Sequence, residues 1–519
     1  MNKSASPSTP ARPKTRLGRI CIAIQAGTPG QMLERAEAAL KNASFLEFRL
    51  DSLPRPAAAL PRFKTFFSEH PKVTVIGTCR RKANGGQFNG SLSEELDILL
   101  KAGRAGCRII DLEVESAEEA SPAQLDKFKA ALRASGAELL ISFHDFARTG
   151  ALDQAADHIA GFEPDFIKVV PTALTLADNL AVLRLLANRS IHSRIVAMAM
   201  GEEGIVSRVL GPLSGSAFTF ASSQEGAETA PGQVTGQTLR TLYRADKLNS
   251  ETLVFGVAGN PIAHSLSPLL HNSAFRREHI NAVLLPLKVR TLADFLNLAL
   301  ELPLSGAAIT MPLKREILPH LDQIDPLTRQ IGACNTLRIT VDRKIFGFNT
   351  DVEGVVRPLE KRIPLRGAKI AVIGAGGAAR AAVFGLVQKG AEVLVVNRTH
   401  ESALALAKAA GAAAVKHEYL ARNRVDILIN STPCGMAGSA QSHPIAENEL
   451  NAGIIFDMVY NPLETPLLRL AKSRGIPVIS GMEMFVQQGA RQFEIWTGKT
   501  PPEQAMQRIV EQELRRNAR

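Results

Sequence analysis

Lys168 stands in Asp165-Phe-Ile-Lys-Val-Val-Pro171, a short apolar run of β type where a lysine costs free energy unless chemistry needs it. Desolvation disfavours the ammonium, so a lysine buried there can offer a neutral amine to a carbonyl carbon. The plain alternative is a lysine whose stem packs while its head reaches water. His144 ends the preceding run in Ser142-Phe-His144-Asp145. It is a strong enough base beside an iminium, which withdraws electrons far better than a neutral ketone. Glu47, Arg49, Arg80, Asp111 and Glu113 close or occupy earlier runs, and Arg208 and Gln233 follow later ones. Singly each has a dull reading: an inward ion pair, a satisfied core histidine, a solvated arginine. Jointly, His144 and Lys168 would have to face one lumen by accident.

A second set lies beyond residue 250. Lys369-Ile-Ala-Val-Ile-Gly374-Ala375-Gly376-Gly377-Ala378-Ala379-Arg380 reads as a strand, a glycine turn and a helix. That arrangement brings backbone N–H groups to a pyrophosphate at the helix N-terminus. The next strand ends in Asn397-Arg398-Thr399, with no carboxylate for a ribose hydroxyl, which favours NADP over NAD. Ser265 and Ser267 precede a helix beginning near Pro268, where an N-cap is the modest reading. Thr310 and Lys314 in Ala308-Ile-Thr-Met-Pro-Leu-Lys314, and Asp351 in Gly347-Phe-Asn-Thr-Asp351, stand at further strand ends. Lys314 and Asp351 taken separately are surface charges.

The elements that must position these groups fall into two architectures. The chain has 519 residues, more than one core usually supports. Eight apolar runs, Arg19–Ile24, Phe45–Leu50, Lys72–Cys79, Cys107–Glu115, Glu138–His144, Asp165–Pro171, Arg194–Gly201 and Ala217–Ser222, alternate with helical patterns such as Ser93–Ala105, Pro122–Ala134 and Leu176–Ala187. This beat predicts a (β/α)₈ barrel with its site at the carboxyl ends of the strands, an open doubly wound sheet being the runner-up. Thr235–Thr252 reads as the last barrel helix and a linker, after which a fresh βα rhythm starts at Leu253. The fold class is therefore α/β, a barrel followed by a second α/β architecture whose glycine turn marks a Rossmann-type lobe. The expected divisions begin with a disordered tail at 1–16 and the barrel at 17–248.

The net charge of +11 comes from scattered Lys and Arg, and three tyrosines with one tryptophan offer little for base stacking. Small anionic substrates explain it more simply than nucleic acid. No apolar run reaches a membrane span. Five widely spaced cysteines without a CxxC pair argue against disulfides or zinc, and no metal is expected. Residues 1–16 lack an apolar signal core, which leaves the cytoplasm as the expected compartment. Small molecules are the expected partners, and a monomer suffices.

Residues 18–245 resemble the type I 3-dehydroquinate dehydratases through Glu47-Phe-Arg-Leu-Asp51, Thr78-Cys-Arg80, Ser142-Phe-His-Asp145, Ile167-Lys168 and Ala230-Pro-Gly-Gln233. The resemblance implies a Schiff base at Lys168, and proton removal and return by His144. It implies that Glu47 and Glu113 line the site, that Arg208 holds a carboxylate, and that Arg49, Arg80 and Gln233 bind hydroxyls or shape the pocket. Asn84 and Thr229 depart from that pattern, where glutamate and serine are usual, with altered substrate affinity expected from Asn84. Residues 253–519 resemble the shikimate dehydrogenases through Gly259-Asn-Pro-Ile-Ala-His-Ser-Leu-Ser-Pro268, Thr310-Met-Pro-Leu-Lys314, Gly332-Ala-Cys-Asn335-Thr336, Asn349-Thr-Asp351, the glycine turn and Asn397-Arg-Thr399. This implies that Ser265, Ser267, Thr310, Asn335, Asp351 and Gln488 bind substrate, with Tyr460 nearby and the segment Met482–Gln492 returning to the substrate lobe. Lys314 and Asp351 would be the catalytic pair, acting with NADP. The resemblance also implies a two-lobed α/β dehydrogenase, with a substrate lobe at 253–355 and 481–519 and a Rossmann-type NADP-binding lobe at 366–480. The joint expectation is one chain that dehydrates 3-dehydroquinate and reduces 3-dehydroshikimate. A class I aldolase-like barrel fused to a quinate dehydrogenase, or one half kept as a regulatory module, are the competing readings.

Overall fold

The computed structural model describes residues 17–191, 193–263, 265–438, 441 and 443–517. The expected tail at 1–16, and His264 of the serine motif, lie outside them. Two compact units divide the chain: the first runs to Lys247 apart from residues 175–180, and the second takes those six residues and the chain from Leu248 onward.

The first unit carries eight strands: β1 (Ile20–Ile24), β2 (Phe45–Arg49), β3 (Thr74–Thr78), β4 (Ile109–Glu113), β5 (Glu138–His144), β6 (Phe166–Val170), β7 (Ile195–Ala197) and β8 (Thr219–Ser222). They pair in parallel in the order β7-β6-β5-β4-β3-β2-β1-β8. The β8–β7 seam is spanned by Ala217 N donating to Ile195 O at 2.8 Å. Strand alternation sends every second side chain inward. Cys21, Phe45, Ile76, Ile109, Leu140, Phe166, Val196 and Phe218 therefore form an apolar floor in the lumen. Two residues further along five of the same strands lie Glu47, Thr78, Asp111, Ser142 and Lys168, all buried. The floor keeps water out from below, and the polar layer opens only toward the carboxyl rim. Outside, helices start where the sequence caps them. Ser91 with Glu94 and Ser121 with Gln124 form reciprocal capping boxes.

Two expectations need correction. The fourth run stops at Glu113, because Val114–Glu119 folds as a short helix that sets Glu115 on the barrel mouth. The last barrel helix shrinks to one wide turn, Thr238–Leu242. Thr235 Oγ1 accepts from Thr238 N at 3.1 Å and Thr241 Oγ1 donates to Gln237 O at 2.9 Å, so the threonine hydroxyls compete with the helical ladder.

The second unit has two sheets. The first comprises β9 (Leu253–Gly259), β10 (Ala282–Lys288), β11 (Leu304–Ile309), β12 (Gln323–Ile324), β13 (Thr336–Ile339) and β14 (Ile345–Phe348), in the order β10-β9-β11-β13-β14-β12, with β13 antiparallel to β11 and β14. The other comprises β15 (Lys369–Ile373), β16 (Glu392–Val396), β17 (Ala413–Ala414), β18 (Val425–Asn430), β19 (Ala452–Asp457) and β20 (Val478–Ile479), all parallel in the order β17-β16-β15-β18-β19-β20. This is the doubly wound arrangement, with its crossover beside β15. The helix Gly481–Thr497 returns to the first sheet, where Trp496 Nε1 donates to Leu337 O at 2.9 Å. No helix among the described residues is long and apolar enough to cross a membrane.

The helix Asp351–Glu360 is seated on Gly481–Thr497 through Gly354. A Cβ there would lie 3.1 Å from Gln488 Cβ and from Met484 O. A Gly354→Val change is expected to overpack this contact and destabilise the unit by about 1–3 kcal/mol. Trp496 is the chain's one tryptophan, so its fluorescence should show an earlier urea midpoint. An unchanged midpoint would refute the close-packing argument.

Candidate active sites

At the barrel mouth, Asp111 joins the two central cations. Its Oδ2 lies 2.8 Å from Lys168 Nζ and 3.3 Å from Arg80 Nη2, and its Oδ1 accepts from Ser142 Oγ at 2.6 Å. Burial raises the Asp111 carboxyl, but Lys168 and Arg80 outweigh it and hold the group below the usual carboxylate range. Lys168 is thus not the unpartnered lysine that desolvation alone describes. It has a counter-ion, and its Nζ also sits 4.2 Å from the centroid of the Phe220 ring.

Arg80 Nη1 reaches His144 Nδ1 at 2.8 Å, Ser142 Oγ at 3.2 Å and Glu113 Oε1 at 3.2 Å. A guanidinium only donates, so Nδ1 is the accepting nitrogen and the imidazole proton sits on Nε2. Burial first, then Arg80 and Lys168, push the His144 pKa well below the usual histidine range. The ring is neutral. To act as a base it must regain a free lone pair, which requires Arg80 to leave Nδ1 or the proton to change nitrogen.

Most predicted barrel residues converge. Glu47, Arg49, Arg80, His144, Lys168, Arg208, Thr229 and Gln233 line one cleft, together with Asn84 and Phe146. Glu47 accepts from Thr78 Oγ1 at 2.7 Å. Arg49 pairs with Asp51 through two bonds of 2.9 and 2.8 Å, so it is not the inward partner of Glu47. Gln233 Oε1 accepts from Thr229 N and Oγ1 at 2.8 and 3.2 Å. Glu113 is the exception: it lies behind Arg80 rather than on the cleft wall, its two oxygens held by Arg80 Nη1 and by Arg81 N at 2.8 Å. Arg208 is 1% exposed, gives Nη2 to Pro231 O at 3.2 Å, and leaves Nε buried without a partner. Burial lowers its pKa to about 10. A buried cation with an unfilled donor at a cleft wall suits an anionic ligand. Asp111 and Ser142 were missed as site members. Asp111 was legible as the residue two before Glu113 on the same strand face.

In the second unit Lys314 Nζ lies 2.5 Å from Asp351 Oδ2, and Asn335 Nδ2 donates to Asp351 Oδ1 at 2.8 Å. Asn335 is itself fixed, its Oδ1 accepting from Thr350 N and Thr336 Oγ1, each at 2.8 Å. Gln492 extends the network, with Nε2 on Thr336 Oγ1 at 3.0 Å and Oε1 3.1 Å from His271 Nε2. Burial lowers the His271 pKa to about 4, so it serves this network neutral. Ser265 Oγ accepts from the backbone of Ser267, which opens the helix Ser267–Arg277 rather than capping it. Thr310 follows β11, and the Cβ that Gly259 lacks would meet its methyl at 2.2 Å. Tyr460 stacks on Phe485 at 4.9 Å, and both pack on the core shared by Leu270 and Val486. Gln488 is half-buried beside Gly354, with Nε2 donating to Phe485 O at 2.9 Å. Thr350, Thr336 and His271 were not foreseen. They signal themselves only through three-dimensional bonding.

The glycine turn fits a dinucleotide. Gly374 has φ 115, and a Cβ there would strike Ser431 Oγ at 2.5 Å. Gly376 caps the helix Gly377–Gln388 without a side chain, and a Cβ on it would meet nothing within 4 Å. The space beside Gly376 is open, and the first N–H groups of the helix, at Gly377 and Ala378 beyond Ala375, are of the kind that can take a phosphate. Asn397 Nδ2 donates to Thr399 O at 2.9 Å, and Arg398 is exposed. A Cβ on Gly377 would lie 4.0 Å from Lys314 Cδ, so the turn and the Lys314–Asp351 pair share one cleft.

Comparison with known proteins agrees with both halves. Residues 20–250 match the type I 3-dehydroquinase family, 257–337 the shikimate dehydrogenase substrate binding domain, 359–454 the shikimate/quinate 5-dehydrogenase family and 481–511 the shikimate 5'-dehydrogenase C-terminal domain. The bifunctional 3-dehydroquinate dehydratase/shikimate dehydrogenase of Arabidopsis thaliana, named as chloroplastic, is 33% identical over 95% of this chain and 84% of its own length. The NADP(+) shikimate dehydrogenase of Maridesulfovibrio salexigens is 43% identical over 47% of this chain and 91% of its own. A solved shikimate dehydrogenase from Aquifex aeolicus is 32% identical, covering 51% of this chain and 99% of its own, with a TM-score of 0.48. The chain belongs to the family of bifunctional 3-dehydroquinate dehydratases/shikimate dehydrogenases.

Proposed function

We propose that this chain dehydrates 3-dehydroquinate to 3-dehydroshikimate in the barrel, residues 17–248, and reduces that product to shikimate with NADPH in the second unit. In the latter, residues 253–355 with 481–519 take the substrate and residues 366–480 the cofactor. The carrying observation is the buried Lys168–Asp111–Arg80–His144 network, which places a nucleophilic amine, its counter-ion and a neutral base on one cleft. A monomer is our assignment for the working unit. Five free, buried cysteines suit a reducing compartment, and the cytoplasm is our assignment.

In the barrel, Arg208 takes the substrate carboxylate through its unfilled Nε. Lys168 adds its amine to the ketone, and water leaves as the iminium forms. Asp111 stays ionised against that positive charge, as it does against the ammonium. A substrate hydroxyl then draws Arg80 Nη1 off His144 Nδ1, and the freed nitrogen removes the proton beside the iminium. The same nitrogen returns it to the departing hydroxyl, which leaves as water, and hydrolysis of the iminium restores Lys168. Glu47, Arg49, Thr229 and Gln233 hold the remaining hydroxyls.

In the second unit, NADPH, when bound, supplies the hydride to the ketone carbon. Gly374, Ala375, Gly376, Gly377 and Ala378 would hold its pyrophosphate, and Asn397, Arg398 and Thr399 its 2′-phosphate. Lys314 donates the proton to the ketone oxygen as negative charge builds there, with Asp351 and Asn335 fixing its ammonium. Ser265, Ser267, Thr310, Tyr460, Gln488 and Gln492 bind the substrate or shape its pocket.

Borohydride added with dehydroquinate should attach the reduced adduct at Lys168 and abolish dehydration while sparing dehydroshikimate reduction. Peptide mass mapping reads it. Trapping by aldol substrates instead would favour the aldolase-like alternative. Lys314→Ala should lower kcat for reduction roughly 10²–10⁴-fold with a smaller change in KM, by steady-state nicotinamide absorbance. Equal loss in KM alone would make Lys314 a binding residue. Arg398→Ala should raise KM for NADPH roughly tenfold or more and leave NADH use little changed, since an ion-paired hydrogen bond to the 2′-phosphate is lost. A parallel change for both cofactors would remove Arg398 from that role.

A further inference from the structure

Asn84 lines the barrel cleft from the loop after β3, and its Nδ2 donates to Glu115 Oε2 at 3.0 Å. A carboxylate only accepts, whereas a primary amide has a donor end and an acceptor end. Glu115 therefore dictates which end of Asn84 it takes, and the other end, Oδ1, is left for the cleft. Glu115 is half-buried on the short helix Val114–Glu119, two residues beyond Glu113. The same helix and its neighbours hold the start of the loop. Arg81 N donates to Glu113, Arg81 Nε lies 2.9 Å from Glu95 Oε2, and Arg81 Nη1 lies 2.6 Å from Glu119 Oε2. The loop also rests on the site: a Cβ on Gly85 would touch Phe146 at 2.8 Å, and that ring stacks on His144 at 6.2 Å.

We infer that Glu115 is a positioning residue for dehydration: it grips the donor end of the Asn84 amide, so that the cleft wall offers an acceptor to a substrate hydroxyl. Burial raises the Glu115 carboxyl above its usual range, as does Glu113 nearby. Arg80 opposes them, and Glu118 adds to the negative charge around it. A carboxylate so placed gains most from a fixed donor, which Asn84 supplies. The inference rests on the reading of the barrel as a dehydroquinate dehydratase.

The test is an exchange of polarity across the pair in the full-length chain at pH 8. Asn84→Asp sets two carboxylates face to face and should raise KM for dehydroquinate by about fivefold or more, with a smaller change in kcat. Adding Glu115→Gln restores a donor opposite an acceptor and should bring KM back to within about twofold of the parent value. Glu115→Gln alone should raise KM modestly, because an amide there accepts either end of Asn84. Barrel thermal unfolding by circular dichroism keeps folding failures apart from these effects. Asn84→Asp with the parent KM, or a double variant as poor as the single one, would overturn the inference. A parent chain that leaves dehydroquinate unchanged would instead overturn the functional reading beneath it.

Discussion

The Asp111 carboxylate is the constraint around which the barrel site is organised. It lies in a lumen sealed below by aromatic and aliphatic side chains, so its charge cannot be left to water. Lys168 and Ser142 reach it from the strands β6 and β5, and Arg80 from just beyond the end of β3. That requirement fixes Arg80, which in turn occupies the histidine nitrogen and the Glu113 oxygen. Removing Asp111 would leave the buried Lys168 ammonium without its carboxylate and facing Arg80, whose remaining partner is Glu113, a cost of several kcal/mol. The nucleophile, the base and their shared tether are thus consequences of one ionised group.

The second unit uses the same logic with different neighbours. Asp351 opens a helix, where an acidic residue also meets the favourable end of the helix dipole. Asn335, locked by Thr350 and Thr336, holds one oxygen and leaves the other to Lys314. Because Gln492 reaches this network from the helix Gly481–Thr497, residues far apart in the chain must fold together before the lysine is aimed. Gly354 allows the close approach of the helix Asp351–Glu360 to the helix Gly481–Thr497 that carries Gln492.

The eight runs were legible because barrel strands, buried on both faces, read as short apolar stretches broken by helical periodicity. Lys168 and His144 were legible because each interrupts such a stretch with a chemical group. Asp111 was seen yet undervalued, since its neighbours on adjacent strands follow from register and not from spacing along the chain. The placement of Glu115 was hidden for a related reason. Val114-Glu115 continues an apolar-acidic alternation that suits a strand as well as the helix it forms. The short Thr238–Leu242 turn escaped because its hydroxyl bonds to the backbone outweigh the helical pattern. Glu113 was misplaced by one layer: its face was right, but Arg80 and Arg81 hold it behind the wall.

The two lysine–aspartate pairs differ in their access to water. Lys168 and Asp111 are 5% and 0% exposed at their side chains, whereas Lys314 and Asp351 are 24% and 8% exposed. Mobile ions screen charges they can approach and barely touch those sealed in the interior. Dissolved salt therefore acts on the two halves of this chain unequally. It weakens the lysine–aspartate attraction of the reductase cleft and leaves that of the barrel intact, so the ratio of the two activities carries a record of the ionic medium in which the protein works.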